Sequence, residues 1–185
     1  FQRRITLLGP ESAGKTVLAE TLASGPETGL IPEYGRDYDA LFRRGSGWTQ
    51  DDFIAIAEGH LALAGPIARA SGPRLIEDTD PLQTLVWAEY LLGTAPAALV
   101  DLVARMARPD LYLLLGPETP WHDDVTRYSG APVRRRWFAE RLACWLDRLG
   151  AHWQRVDAGD WDARAAQAES LVAAALATGH NSAKP

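Results

Sequence analysis

The 185-residue sequence is poor in cysteine and lysine, with one and two copies respectively, and no apolar run is long enough to cross a bilayer. The lone Cys144 has no partner for an intrachain disulfide, which is typical of a protein in a reducing compartment. The net charge of −5 is not offset by a basic tract, so nucleic acid is not the expected main partner. With no signal-peptide pattern, we expect a cytoplasmic protein that binds neither nucleic acid nor membrane.

The rest of the composition is that of an ordinary globular protein, with 46% hydrophobic and 23% charged residues. A chain of this length is large enough to bury one hydrophobic core. The sequence therefore predicts a single domain over residues 1–177, followed by a flexible tail over residues 178–185.

One of the two lysines lies in the stretch GPESAGKT at residues 9–16, which matches the phosphate-cradling pattern G-x-x-x-x-G-K-[ST]. An apolar run precedes it and a helical pattern follows it, as the motif requires. Glycines let backbone N–H groups converge on phosphate oxygens, Lys15 can reach the terminal phosphates, and the Thr16 hydroxyl can bind Mg²⁺. The predicted nucleotide-binding residues of this loop are Gly9, Glu11, Ser12, Ala13, Gly14, Lys15 and Thr16.

The order of apolar runs and helical patterns predicts the fold class. Short buried strands are predicted at residues 4–8, 30–32, 74–76, 111–115 and 152–156. Helices are predicted at residues 17–23, 49–70, 81–92, 96–107, 137–149 and 162–177. Five strands that alternate with helices indicate a three-layer α/β fold with a five-stranded parallel sheet.

Acidic residues follow two of the predicted strands, where ligands bind in open parallel sheets. Asp78 is predicted to hold Mg²⁺, directly or through water. Asp80 is predicted to bind a substrate hydroxyl or accept its proton, or else to cap the helix that begins at Pro81. Glu33 is the other candidate base. His60 lies on the apolar stripe of its helix, which favours a packed core histidine over a ligand contact.

Aromatic residues and a cationic segment complete the predicted site. Tyr34, Trp87 and Trp121 are candidate stacking surfaces for a flat substrate ring, and a cationic heterocycle would suit them well. The Pro-rich connection at about 117–131, with the arginines at 134–136, has the character of a lid that brings cations to a transferring phosphoryl group.

Several motifs together resemble the ribosylnicotinamide kinase domain of the NadR-type bacterial NAD-biosynthesis regulators, in matching order and spacing over nearly the whole chain. They are G-x-E-S-x-G-K at 9–15, E-Y-G-R at 33–36, G-H at 59–60, D-T-D at 78–80 with Thr84, and P-W-x-x-D-x-x-R at 120–127. The sequence departs from the family pattern at two places. Val125-Thr126 stands where the lid usually has Gly-Leu, and Pro32 stands where some members have an aromatic residue.

The resemblance implies a P-loop kinase that uses ATP, or GTP in its place, and Mg²⁺ to phosphorylate the 5′-hydroxyl of nicotinamide riboside, giving nicotinamide mononucleotide. A kinase for another nucleoside or a vitamin such as thiamine, and a regulatory P-loop ATPase switch, are the alternatives. The catalytic residues implied are Lys15, Glu33, Asp80 and Arg127. Those implied for the substrate are Tyr34, Arg36, Asp80, Thr84, Trp87, Trp121 and Asp124. Trp161 and Arg164 are expected to border the adenine, and Thr16 and Asp78 the metal.

Overall fold

A computed structural model describes residues 2–43, 45–117 and 132–178 of the chain. In these ranges, five parallel strands form one sheet in the order β2-β3-β1-β4-β5. The strands are β1 (Arg3–Leu8), β2 (Thr28–Ile31), β3 (Arg74–Asp78), β4 (Leu111–Leu115) and β5 (Trp153–Val156). The predicted five-stranded parallel sheet is confirmed.

Helices cover both faces of the sheet. Their bounds are α1 (Lys15–Ala23), α2 (Tyr34–Tyr38), α3 (Gln50–Ala70), α4 (Pro81–Leu92), α5 (Ala97–Arg105), α6 (Pro132–Arg148) and α7 (Trp161–Thr178). Apolar residues of α1 and α7 pack on one face of the sheet, and those of α3, α4, α5 and α6 pack on the other. The three-layer arrangement follows because β4, with the sequence LYLLL, is buried along its whole length and must be covered on both faces.

Local sequence signals set the starts of two helices. At α3, the Thr49 side chain accepts from the backbone of Asp52 and the Asp52 carboxylate accepts from the backbone of Thr49, which together form a capping box. At α4, Asp80 is the N-cap and Pro81 is the first helical residue. These caps fix where the cleft-lining helices leave the sheet.

The structure differs from the predicted elements and boundaries at several points. Strand β2 begins at Thr28, two residues earlier than predicted. Gly29 interrupts the apolar pattern on which the prediction depended, yet in the structure it pairs with Leu75 of β3. Helix α6 begins at Pro132 rather than at residue 137, because its first turns are rich in arginine, a polar composition that hides the helical period. A π-helical turn at Asp39–Arg43 was not predicted.

The carboxyl ends of the central strands meet at one edge of the sheet. The loop at residues 9–14 leaves β1 there, Asp78 ends β3, and Glu33 follows β2 by two residues. Ligands bind at this edge in open parallel sheets. The fold therefore brings the predicted phosphate loop and the predicted acids to the same place.

Candidate active site

The loop between β1 and α1 has the backbone geometry of an anion-binding nest. Gly9 has a φ of 151°, Ser12 a φ of 57° and Gly14 a φ of 81°. Such left-handed residues, alternating with ordinary ones, turn successive N–H groups toward one point. Gly9 is also required by space, because a Cβ there would lie 2.9 Å from the Leu115 carbonyl oxygen.

Side chains hold the carbonyl oxygens of this loop. The ammonium of Lys15 donates to the Pro10 oxygen at 3.0 Å, and the Arg164 guanidinium donates to the Ala13 oxygen at 3.1 Å. Arg135 of α6 donates to the oxygens of Glu11 and Ser12, at 3.2 and 3.5 Å. Because the N–H and C=O of one trans peptide point in opposite directions, each held oxygen also fixes the direction of the N–H group in the same peptide, and the Ala13 N–H donates to the Pro10 oxygen at 3.4 Å.

A cleft of about 370 Å³ opens beside the loop, between α2, α3 and α4. Its apolar wall includes Trp48, Phe53 and Trp87, and the rings of Trp48 and Phe53 are stacked with centroids 4.9 Å apart. The further lining residues are Glu11, Ser12, Lys15, Glu33, Gly35, Arg36, Asp39, Ala40, Ile56, Thr79, Gln83, Thr84 and Leu91. An apolar cleft with a few converging charges is the usual form of a small-molecule site.

Lys15, Glu33 and Asp78 form an electrostatic cluster where the cleft meets the loop. Burial lowers the pKa of the Lys15 ammonium, against the opposing effect of the carboxylates of Glu33 and Asp78. Burial raises the pKa of the Glu33 carboxyl, although the charge of Lys15 opposes the rise. A glutamate with a raised pKa is better suited to accept a proton near neutral pH than an ordinary one. The exposed Arg36 lies 3.3 Å from Glu33 and completes the cluster.

Asp78 has an oxygen that needs a partner from outside the described residues. Its Oδ1 is buried and makes no hydrogen bond within them. A buried carboxylate oxygen without a donor is costly, and beside a phosphate loop a cation or its bound water is the natural partner. Among the described residues no cluster of three or more His, Cys, Asp or Glu side chains could hold a metal. That fits Mg²⁺, which commonly binds one or two carboxylates together with phosphates and water.

The structure places the Asp80 side chain in the protein interior, whereas the catalytic prediction required it to face the substrate. Its side chain is only 4% exposed, and its two oxygens accept from the Leu82 N–H and the Tyr112 hydroxyl, at 2.9 and 2.8 Å. The chain turns inward just before it, at Thr79, which has a φ of 68°. The capping interpretation describes this geometry, because both oxygens are already bonded within the protein.

Both residues of the G-H motif, Gly59 and His60, have packing roles. Gly59 of α3 leaves room for the ring of Tyr34, which packs directly on it. Gly35 and Arg36, the next two residues, form the cleft wall at this point. His60 is buried, and its Nε2 lies 2.9 Å from a carboxylate oxygen of Glu77. The core interpretation of His60 is the one that the geometry supports.

The residues expected near the adenine lie close to the phosphate loop. Trp161 packs over Gly14, where a Cβ would come within 2.8 Å of the indole. Arg164 is 1% exposed, and it donates to the oxygens of Ala13 and Ala158. Its contribution in this structure is to hold the loop rather than to offer a surface to a base, which differs from the prediction.

Some cleft residues were missed by sequence reasoning. Trp48, Phe53, Asp39 and Gln83 line the cleft, and Arg43 lies under the Trp48 ring with its guanidinium 3.3 Å from the ring centroid. The sequence signal that could have indicated this aromatic wall is the spacing of Trp48 and Phe53, which lie five residues apart on either side of the start of α3. The predicted lid residues Trp121, Asp124 and Arg127 lie outside the described residues.

The profile of an AAA domain family matches residues 4–164, which span the loop, the acids and Arg164. The chain belongs to this AAA domain family. None of the helices within the described ranges of this AAA domain is both long and apolar enough to span a membrane.

Curated relatives add a second comparison. Over 174 residues, the AAA domain is 30% identical to the trifunctional NAD biosynthesis/regulator protein NadR of Escherichia coli K12, and equally to that of Salmonella typhimurium LT2. The match covers 93% of this chain but 42% of each relative. The chain therefore spans less than half the length of the curated relatives it matches.

Solved structures support the fold. A crystal structure of NadR in complex with NR superposes with a TM-score of 0.79 at 26% identity, over 93% of this chain and 51% of that one. A thymidylate kinase from Ehrlichia chaffeensis superposes with a TM-score of 0.67 at 14% identity, over 92% of this chain and 98% of that one. The predicted P-loop α/β fold is confirmed by these similarities.

Proposed function

We propose that this AAA domain is a kinase that transfers the terminal phosphoryl group of ATP to the 5′-hydroxyl of nicotinamide riboside, giving nicotinamide mononucleotide. The observation that carries the proposal is the cleft, in which aromatic walls and the Glu33 carboxyl adjoin the phosphate loop. The similarity to NadR, one of whose structures holds NR, supports the choice of acceptor.

The nucleotide half of the proposal rests on the loop. Its N–H groups would hold the phosphates, because Arg135 and Arg164 bond loop carbonyls on the other side. The Lys15 ammonium, which donates one hydrogen bond to the Pro10 oxygen, has further N–H donors for the phosphates. Trp161, beside Gly14, would border the base. Thr16 and Asp78 would hold Mg²⁺, which when bound neutralises charge on the phosphate oxygens.

The acceptor half rests on the cleft. A flat cationic ring would lie against the aromatic wall of the cleft, chiefly at Trp87, because aromatic faces attract cations. The faces of Trp48 already meet Phe53 and the Arg43 guanidinium. Asp39, which lines the same cleft, is ion-paired with Arg43, so its charge there is largely compensated. The neutral ring of an uncharged nucleoside would gain less from this wall.

The chemical step would be an in-line displacement. Glu33 would take the proton of the acceptor hydroxyl as its oxygen attacks the terminal phosphorus. The new O–P bond forms while the bond from that phosphorus to the bridging oxygen breaks, and ADP leaves with the electron pair. Glu33 is preferred to Asp80 as base because Glu33 lines the cleft, whereas both oxygens of Asp80 are bonded inside the protein.

The test is a phosphoryl-transfer assay with ATP and Mg²⁺ and a panel of acceptors: nicotinamide riboside, adenosine, thymidine and thiamine. We expect nicotinamide riboside to be converted to its monophosphate and to be the preferred acceptor. Lys15→Ala is the matched control, and it should abolish transfer while its far-UV circular dichroism stays that of the wild type. Preference for another acceptor, or ATP hydrolysis that no acceptor alters, would overturn the proposal.

A further inference from the structure

A side-chain amide holds the first residue of the phosphate loop. The Gly9 N–H donates to Oε1 of Gln83 at 3.2 Å, and Nε2 of Gln83 donates to the Gly9 carbonyl oxygen at 2.8 Å. Both partners are buried, and Gln83 is 3% exposed. The two hydrogen bonds form a closed pair between one side-chain amide and one residue of backbone, like the pairing of two strands.

This pair replaces a strand neighbour that the sheet does not supply. The parallel pairing of β1 with β4 ends with Leu8 opposite Leu114, and that of β1 with β3 ends with Leu7 opposite Asp78. Gly9 is the next residue, and its backbone turns away with a φ of 151°. Buried backbone groups need partners, and Gln83 provides both of them at the point where the strand becomes the loop.

Gln83 also connects the loop with the acceptor cleft. It lies on α4, one residue before Thr84 and one helical turn before Trp87, and all three line the cleft. The helix is fixed at its own start by Asp80 and Tyr112. A rigid helix therefore carries the amide that sets the orientation of the Gly9 peptide.

We propose that Gln83 is a positioning residue, which orients the Gly9 peptide so that the following N–H groups of the loop converge on the phosphates of the nucleotide. The inference rests only on the nucleotide half of the proposed function, because it concerns the loop and is independent of the acceptor. Gln83 acts through Gly9 rather than by touching the reacting atoms.

The experiment measures the dissociation constant of AMP-PNP with Mg²⁺ by calorimetry, for the whole chain and three variants. Gln83→Met keeps the size of the side chain and removes both hydrogen bonds, and we expect binding to weaken about tenfold. Gln2→Met is the matched control. Gln2 also donates to two backbone oxygens, of Ala68 and Gly72, but at the opposite end of β1. It should lose stability without losing affinity for AMP-PNP.

Gln83→Glu gives a readout that a purely structural role would not. As a carboxylate, the introduced group can accept from the Gly9 N–H but cannot donate to the Gly9 oxygen. When protonated it can do both, so its affinity for AMP-PNP should recover at pH 5.5 relative to pH 8. The wild type, measured at each pH, accounts for the effect of pH on the charged groups around the loop and the cleft, namely Glu11, Lys15, Glu33, Asp39, Asp78 and Asp80. If Gln83→Glu weakened binding only because its carboxylate repels the phosphates, its affinity for AMP-PNP at pH 5.5 would rise no higher than that of Gln83→Met.

The outcomes separate the inference from the proposed function. Wild-type chain that fails to bind AMP-PNP would overturn both. Wild-type binding with unchanged affinity in Gln83→Met overturns the inference alone. Loss of affinity for nicotinamide riboside, with AMP-PNP affinity retained, would make Gln83 an acceptor ligand and also overturn it. If Gln83→Met does not fold, the pH-dependent recovery of Gln83→Glu to the wild-type value, or its absence, decides the question.

Discussion

The hydroxyl of Tyr112 on β4 donates to the carboxylate of Asp80 at 2.8 Å, across the buried start of α4. The pair has consequences for both residues. Burial and then the charge of Glu77 raise the pKa of the Asp80 carboxyl to about 6, and burial also raises the pKa of the Tyr112 phenol. An interior carboxyl of this kind supports the helix and costs free energy when it ionises.

Asp80→Asn is therefore expected to keep phosphoryl transfer within a fewfold of the wild type, because an amide can still accept from Leu82 and bond Tyr112. Its stability should depend less on pH. The raised pKa means that Asp80 favours folding most below about pH 4, and that this contribution is lost as the pH rises through about 6. The free energy of unfolding of the variant, relative to the wild type, should rise over that range by up to about 3 kcal/mol. Urea unfolding at several pH values measures this difference, and a parallel pH dependence for the two proteins would contradict it.

Asp78→Asn tests the neighbouring carboxylate, two residues earlier. We expect turnover to fall by about 100-fold or more, and the Mg²⁺ concentration for half-maximal rate to rise, because the unpartnered Oδ1 of Asp78 is the proposed metal ligand. Initial rates over a Mg²⁺ titration provide the measurement. Asp80→Asn is its control, and equal loss in the two variants would argue against separate roles.

Glu33→Gln should lower kcat by roughly 100-fold to 10,000-fold, the usual contribution of a general base. In the wild type, kcat/KM should fall as the pH drops through a pKa above the ordinary value for glutamate, because burial raises the pKa of the Glu33 carboxyl. The variant should lose this acidic limb of the profile. Glu20→Gln, on an exposed position of α1, is the control and should keep the wild-type profile. An unchanged acidic limb in Glu33→Gln would show that another group is the base.

Gly59→Ala and Gly65→Ala form a matched pair on α3. At Gly59 a Cβ would come within 2.3 Å of the Tyr34 ring, so we expect lower stability and a displaced ring. At Gly65 the nearest atom is the flexible end of Arg69 at 3.4 Å, and alanine should stabilise the helix by up to about 1 kcal/mol. Thermal unfolding compares the two, and a stabilised Gly59→Ala variant would mean that Tyr34 does not pack there.

The parts of the site that could be predicted from the sequence are those encoded locally. The phosphate loop, its flanking strand and helix, and the capping box at Thr49 each depend on residues a few positions apart. Position along the sheet could also be predicted, because the carboxyl ends of parallel strands share an edge. These rules predict that Lys15, Glu33 and Asp78 lie close together, as they do in the structure.

The parts that could not be predicted depend on contacts distant in sequence. Whether Asp80 faces the cleft or the interior is decided by Tyr112, which is 32 residues away. Arg164 holds the carbonyl of Ala13 from 151 residues away. Alternation along a strand does not extend through Thr79, whose left-handed backbone reverses the expected direction of the next side chain.

The anchoring of the loop carbonyls by Lys15, Arg135 and Arg164, and of Gly9 by Gln83, has an effect on thermodynamics. Because α1, α4, α6 and α7 all hold the nest, it takes its binding conformation when the chain folds, and little binding free energy is spent on ordering the loop. Any substitution that loosens one of those helices should consequently weaken nucleotide affinity, even when the substituted residue lies on the far side of the domain.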